Sequence, residues 1–178
     1  MIILSDGMGS GKEAFYNSQF SVQIAEKLLN SNFNTKDAID IINSVLLLKS
    51  AETSFATVDL SLINLYDLSF SLYKLGASYS FIKRGQSTKT ISCDTLPAGT
   101  FSKSDISKTI HTLSEGDALI MVSDGVVTPE NLKTVQSVIS EYIGNSPEVL
   151  AEKIRRVCSG AALRDDTSII VAFAEKNV

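Results

Sequence analysis

Three aspartates stand in one kind of setting. Asp6 follows the apolar run Ile2-Ile3-Leu4 and precedes Gly7. Asp124 follows Leu119-Ile120-Met121-Val122, with Ser123 between, and precedes Gly125. Asp165 sits beside Asp166, just ahead of Ser168-Ile169-Ile170-Val171. Each is expected at a strand end, where a loop presents a side chain from a rigid base. If those strands are neighbours, the carboxylates converge. Converging carboxylates raise one another's pKa unless a cation sits between them. Hard divalent ions such as Mg²⁺ or Mn²⁺ suit such a site, because they prefer oxygen ligands. Asp-Gly at a strand end permits a tight turn and a close backbone approach, and a carbonyl there could be a further ligand. Asp-Gly is equally a good turn pair with no other role.

Other candidate chemistry is weaker. Gly7-Met8-Gly9-Ser10-Gly11-Lys12 invites a nucleotide-binding reading. A P-loop would need glycine where Asp6 stands and Ser or Thr where Glu13 stands. Gly9-x-Gly11-x-x-Ala14 fits a loose dinucleotide pattern, but the next element is a second helix rather than a parallel strand. His111 lies in an apparent strand, Ile110-His111-Thr112-Leu113, and reads as an ordinary half-exposed residue. Lys83-Arg84 reads as a solvated turn pair. Cys93 and Cys158 form no C-x-x-C pair and read as idle thiols in a reducing compartment.

Composition narrows the class. The chain has 178 residues, which suits one domain. Its hydrophobic fraction is 44% and its charged fraction 20%, close to the globular average. With 16 basic and 20 acidic residues and no basic stripe, nucleic-acid binding has little support and no nucleic acid is expected as a partner. No apolar run approaches the roughly 18–20 residues of a membrane-spanning helix. No signal-peptide pattern is present either, so the chain reads as cytoplasmic.

The elements that must position the aspartates follow from periodicity. The chain opens inside a strand, Met1 to Leu4, so upstream sequence is expected. Residues 12–29 put Phe15, Val22, Ala25, Leu28 and Leu29 near one helical face. Residues 36–49 do the same with Ala38, Ile41, Ile42, Val45 and Leu48, with Thr35 as N-cap and Asp37 in the first turn. The period then becomes two over 56–63 and from Ser69 to Tyr73, with further strands at 79–84 and 87–92, an antiparallel meander. Residues 100–108 read as a polar loop. Ile110–Leu113 and Asp117–Ser123 read as a hairpin turning at Glu115-Gly116. Thr128-Pro129-Glu130 and Ser146-Pro147-Glu148 each mark a helix start. Thr167–Phe173 reads as the last strand. Helices in pairs and strands in runs predict an α+β fold of antiparallel sheets flanked by helix pairs.

Asp6-Gly7-Met8-Gly9, Met121-Val122-Ser123-Asp124-Gly125 and Arg164-Asp165-Asp166-Thr167-Ser168 occur in an order that resembles the PPM (type 2C) phosphatases. Within them the chain is most similar to the phosphatase domains of the stage II sporulation protein E family. Thr57-Val58-Asp59-Leu60-Ser61, Tyr79 to Gly85 and Leu96-Pro97-Ala98-Gly99 also match, so the resemblance spans nearly all of residues 1–178. It implies an α-β-β-α sandwich with a two-metal site, Mn²⁺ or Mg²⁺. Asp6 would bridge the metals, the Gly7 carbonyl would bind one, and Asp124 and Asp165 would hold the other. It implies hydrolysis of phosphoserine on a small protein, an anti-anti-sigma factor, with release of a sigma factor during sporulation. The family carries a further acidic motif on a strand upstream of Asp6, so a chain starting here would lack its first strands and one ligand. A phosphatase-like binding module without turnover is the alternative. Residues 12–49 occupy the place of the family's regulatory helix pair, part of whose surface could serve a homodimer. The resemblance also implies a membrane tether outside the present sequence and a domain facing the cytoplasm.

Overall fold

The computed structural model describes residues 1–49, 54–103, 105–158 and 166–175. It contains β1 (Ile2–Leu4), α1 (Lys12–Asn30), α2 (Thr35–Leu48), β2 (Val58–Ile63), β3 (Ser69–Leu75), β4 (Ser80–Arg84), β5 (Ser87–Ile91), β6 (Ser107–Thr112), β7 (Ala118–Val122), α3 (Leu132–Glu141), α4 (Pro147–Cys158) and β8 (Ile169–Phe173). Two four-stranded sheets form, in the orders β1-β2-β3-β6 and β5-β4-β7-β8. The α+β class expected from the sequence is the one observed. The chain divides into two compact units, one of 1–62, 71–77 and 93–109, the other of 63–70, 78–92 and 110–178. Among the described residues no helix is long and apolar enough to cross a membrane.

In the first unit β1 pairs antiparallel with β2, Leu4 opposite Asp59. Val58, Leu60, Tyr73 and Leu75 pack with Ala25 of α1 and Ile39, Ile42 and Leu46 of α2. The expected faces hold in part: Ala25 of α1 and Ala38 and Ile42 of α2 are buried, while other bulky residues of the expected stripes lie outside. The buried positions of α1 are Ala14, Asn17, Ser21 and Ala25, while Phe15 is 60% exposed. Small residues let the helix approach closely, and that decides its orientation over the larger stripe. On α2 the buried set is Ala38, Ile39, Ile42, Asn43 and Leu46, and Leu48 is 79% exposed. Its N-cap is Asn34, not Thr35: the Asn34 side chain accepts the Lys36 N–H at 2.9 Å.

Residues 56–92 do not form one meander. β2 and β3 lie in one sheet, β4 and β5 in the other. The change comes just after Gly76, whose φ is +62° and whose absent Cβ would lie 2.5 Å from the Pro97 backbone. Nor do β6 and β7 form a hairpin, because they too belong to different sheets. Part of the expected polar loop at 100–108 is the start of β6. At the intervening turn the Asp117 carboxylate accepts the Ser114 N–H at 2.7 Å and Arg84 Nε at 2.9 Å, which ties the turn to β4. The Asp117 backbone instead continues the β7–β8 ladder, accepting the Ala174 N–H at 2.8 Å.

In the second unit Phe81, Ala118, Ile120 and Val122 pack with Val135 and Ile139 of α3 and Leu150, Ile154 and Cys158 of α4. Helix α4 starts where Ser146-Pro147-Glu148 places it, with Ser146 Oγ accepting the Val149 N–H at 3.3 Å. Helix α3 starts later than Thr128-Pro129-Glu130 suggests. Asn131 Oδ1 takes the Thr128 N–H at 2.8 Å, so those residues form a turn before the helix.

The face of β2 turned away from the helices is polar yet buried. Asp59 and Lys74 pair there at 2.5 Å with 1% of each residue exposed. A buried pair is costly to break on one side, because the remaining charge has no counterpart. Lys74→Met is expected to lower the free energy of urea unfolding by ~3–5 kcal/mol, and Asp59→Leu with Lys74→Met to recover most of that loss. Gly7→Ala is expected to destabilise by up to about 3 kcal/mol in the same measurement, because an added Cβ would sit 1.8 Å from the Ala14 carbonyl oxygen of α1.

Candidate metal centre

Asp6 leaves β1 under tight backbone control. Its N–H donates to Thr57 Oγ1 at 2.8 Å, and its C=O accepts the Thr57 N–H at 2.8 Å. Ser5 Oγ donates to the Thr57 C=O at 2.6 Å. One residue on, Gly7 bridges Ala56 in antiparallel fashion, flanked by the Thr57-to-Asp6 bond and by Met8 N–H to Phe55 C=O at 3.0 Å. In such a bridge the Gly7 N–H and C=O point away from the Phe55–Thr57 segment. The Gly7 carbonyl is thus left out of the pairing with that segment. The Gly9 and Gly11 φ values of +94° and +83° carry the chain from this point into α1.

Asp124 lies just past β7. Ser123, 4% exposed, is the hub of its turn. The Ser123 N–H donates to the Ser168 C=O at 3.0 Å, and its hydroxyl accepts the Ser168 N–H at 3.0 Å. The same hydroxyl lies 3.4 Å from the Asp166 C=O. The Ser123 C=O accepts the Val126 N–H at 3.1 Å, closing a turn around Asp124-Gly125. Asp124 itself is exposed, and its Oδ1 accepts the Gly125 N–H at 3.0 Å. The strand-end setting expected for Asp6 and Asp124 is therefore observed. Asp165 lies outside the described residues. Its neighbour Asp166 is exposed and approaches β7 through Ser123.

Among the described residues no three His, Cys, Asp or Glu side chains gather as a metal-binding group. The donor chemistry nevertheless fits a hard divalent cation. In the first unit the Asp6 carboxylate and the Gly7 carbonyl are oxygen donors on a backbone-anchored segment, and in the second unit the Asp124 carboxylate is another. Neither thiol has a place there: Cys158 Sγ bonds the Val126 C=O at 3.0 Å inside the α4 core, and Cys93 Sγ bonds the Ala77 C=O at 3.3 Å. Burial pushes the Cys158 thiol up from its ordinary pKa, which keeps it protonated. His111 stacks on Phe70 at 5.4 Å and lies 3.4 Å from Lys89 Nζ. Burial, then the Lys89 charge, lower its pKa. Lys83 is not the solvated residue the sequence suggests, since only 4% of it is exposed and its ammonium donates to the Gly85 C=O. Arg84 is partly exposed but paired with Asp117 at 2.8 Å.

The anchoring residues Ser5, Thr57 and Ser123 were not singled out by the sequence. A hydroxyl next to each Asp-Gly was the only local sign of two of them, and Thr57 is 51 residues from its partner Asp6.

Residues 1–174 match the family described as stage II sporulation protein E (SpoIIE). The chain is 33% identical over 183 aligned residues to stage II sporulation protein E of Bacillus subtilis (strain 168), covering 98% of this chain and 22% of that protein. It therefore spans about a fifth of that relative's length. A structure of the PP2C phosphatase domain and a fragment of the regulatory domain of SpoIIE from B. subtilis superposes with a TM-score of 0.87 at 32% identity, covering 99% of this chain and 54% of that one. The SpoIIE phosphatase domain presoaked with Mn superposes with a TM-score of 0.62 at 28% identity, covering 99% of this chain and 86% of that one. With the Asp-Gly strand ends, the sheet orders and these matches in agreement, the chain belongs to the stage II sporulation protein E family.

Proposed function

We propose that this chain is the hydrolytic part of a divalent-metal-dependent serine phosphatase, with Mn²⁺ or Mg²⁺ as its cofactor. Asp6, the Gly7 carbonyl, Asp124 and Asp165 are the oxygen ligands in this reading. The observation that carries it is the shared construction of the Asp6 and Asp124 sites. In each, an aspartate stands just past a strand end, followed by glycine and anchored through a hydroxyl on a hydrogen-bonded neighbour. A pair of bound cations would supply charge neutralisation on phosphoryl oxygens and a water of lowered pKa.

The residues of the chain do the positioning. The carboxylates of Asp6 and Asp124 would offer two oxygens each to a cation. Gly7 lets the strand end lie close against α1, where a side chain would collide with the Ala14 backbone, and its carbonyl would be the ligand. The reaction would need no side-chain nucleophile, in keeping with a Cys158 thiol that is buried and bonded to the Val126 C=O. The substrate proposed from the family is the phosphoserine of a small anti-anti-sigma factor, whose dephosphorylation would release a sigma factor in sporulation. A cytoplasmic placement and a membrane tether elsewhere in the whole protein belong to the same proposal, as does a homodimer.

The test is phosphate release from a phosphoserine protein, run on the 178-residue chain and on the full-length protein that carries it. Release is expected only with added Mn²⁺ or Mg²⁺ and is expected to stop with EDTA. Asp124→Asn is expected to lower the rate by roughly 10² or more, because it removes an anionic ligand without changing size. Tight binding of the phosphoprotein with no release from either form would instead identify a binding module.

A further inference from the structure

The β1–β2 ladder carries an irregularity where it meets the proposed site. Its register pairs Ile2 with Ser61, Ile3 with Leu60 and Leu4 with Asp59, and Gly7 bridges Ala56 in the same register. Asp6 therefore stands opposite Thr57. In a regular antiparallel ladder two residues so placed exchange both backbone bonds. One is present, from Thr57 N–H to Asp6 C=O at 2.8 Å. The other is rerouted through two hydroxyls. Asp6 N–H donates to Thr57 Oγ1 at 2.8 Å, and the Thr57 C=O accepts Ser5 Oγ at 2.6 Å.

We infer that this Ser5–Thr57 hydroxyl exchange is the positioning device of the metal centre. It turns the Asp6 peptide out of the ladder plane and fixes the direction in which the carboxylate is presented. Threonine suits the task because its branched Cβ leaves few χ1 rotamers, so Oγ1 is a nearly rigid acceptor. Ser5 supplies the donor that the Thr57 carbonyl would otherwise find in the Asp6 N–H. Removal of the hydroxyls would allow the regular rung to form. The fold would survive and Asp6 would be re-aimed. The inference rests on the metal-dependent reading of Asp6.

The test compares wild type, Thr57→Val, Thr57→Ser and Asp6→Asn by Mn²⁺ titration calorimetry and by thermal melting in EDTA. Thr57→Val keeps the shape and loses the hydroxyl, whereas Thr57→Ser keeps the hydroxyl. Thr57→Val is expected to weaken Mn²⁺ binding by about 10–100-fold, the range for partners that orient metal ligands. Its melting temperature in EDTA is expected to move by no more than about 4 °C. Thr57→Ser is expected to recover most of the affinity. Wild-type Mn²⁺ affinity in Thr57→Val, beside a loss in Asp6→Asn, would overturn the inference and leave the metal reading standing. An equal loss in Thr57→Val and Thr57→Ser, tracking a fall in melting temperature, would reduce Thr57 to a structural role and also overturn it. Wild-type protein that takes up no Mn²⁺, or Asp6→Asn that binds like wild type, would remove the metal reading and this inference together.

Discussion

A cation-binding carboxylate works only if its backbone is held before the cation arrives, and Asp6 meets that condition through its neighbours on both sides. Its N–H and C=O are both engaged by Thr57. The next residue, Gly7, lies so close to α1 that a Cβ would reach within 1.8 Å of the Ala14 carbonyl oxygen. Helix α1 can settle there only because its inner face is small, with Ala14, Asn17, Ser21 and Ala25 buried. The seat of α1 on the sheet and the presentation of Asp6 are thus one packing arrangement. A side chain at Gly7 would press on α1 at Ala14 and displace the strand end that carries the aspartate.

The second unit solves the same problem differently. Asp124 lies on an exposed turn, where backbone order must come from elsewhere. Ser123 provides it with three bonds that join the end of β7 to the 166–168 segment, and a fourth to Val126 that closes the turn. Beneath it, β7 is wholly buried and carries Ala118, Ile120 and Val122 into the core with α3 and α4. A rigid apolar strand, a buried serine and then an exposed acid form a gradient from packing to chemistry within seven residues, 118–124.

Much of this could be read from the residues. An apolar run ending in Asp-Gly located both strand ends, because strand burial and the turn preference of Asp-Gly are local properties. Helix α4 was legible from its Ser-Pro-Glu start for the same reason. The partition of strands between sheets was not legible. Gly76 and the Ser114–Asp117 turn look like hairpin turns locally, yet the strands on either side of each belong to different sheets, with Gly76 against Pro97 and Asp117 bonded to Arg84. The inner face of α1 is only partly legible, because Ala25 lies on it as expected while close approach favours Ala14, Asn17 and Ser21 over Phe15. The hydroxyl exchange at Asp6 was invisible, since Ser5 and Thr57 are 52 residues apart and serine and threonine are common in loops. Resemblance to a family supplied roles for Asp124 and Asp165 that spacing alone left open.

The proposed function turns on whether the oxygens of Asp6 and Gly7 bind a divalent cation. The most direct measurement is a crystal structure of Mn²⁺-soaked protein with anomalous data collected near the Mn edge. The account predicts an anomalous peak at ligand distance from the Asp6 carboxylate and the Gly7 carbonyl, absent after Asp6→Asn. Mn²⁺ bound only elsewhere, or the same peak in Asp6→Asn, would contradict it.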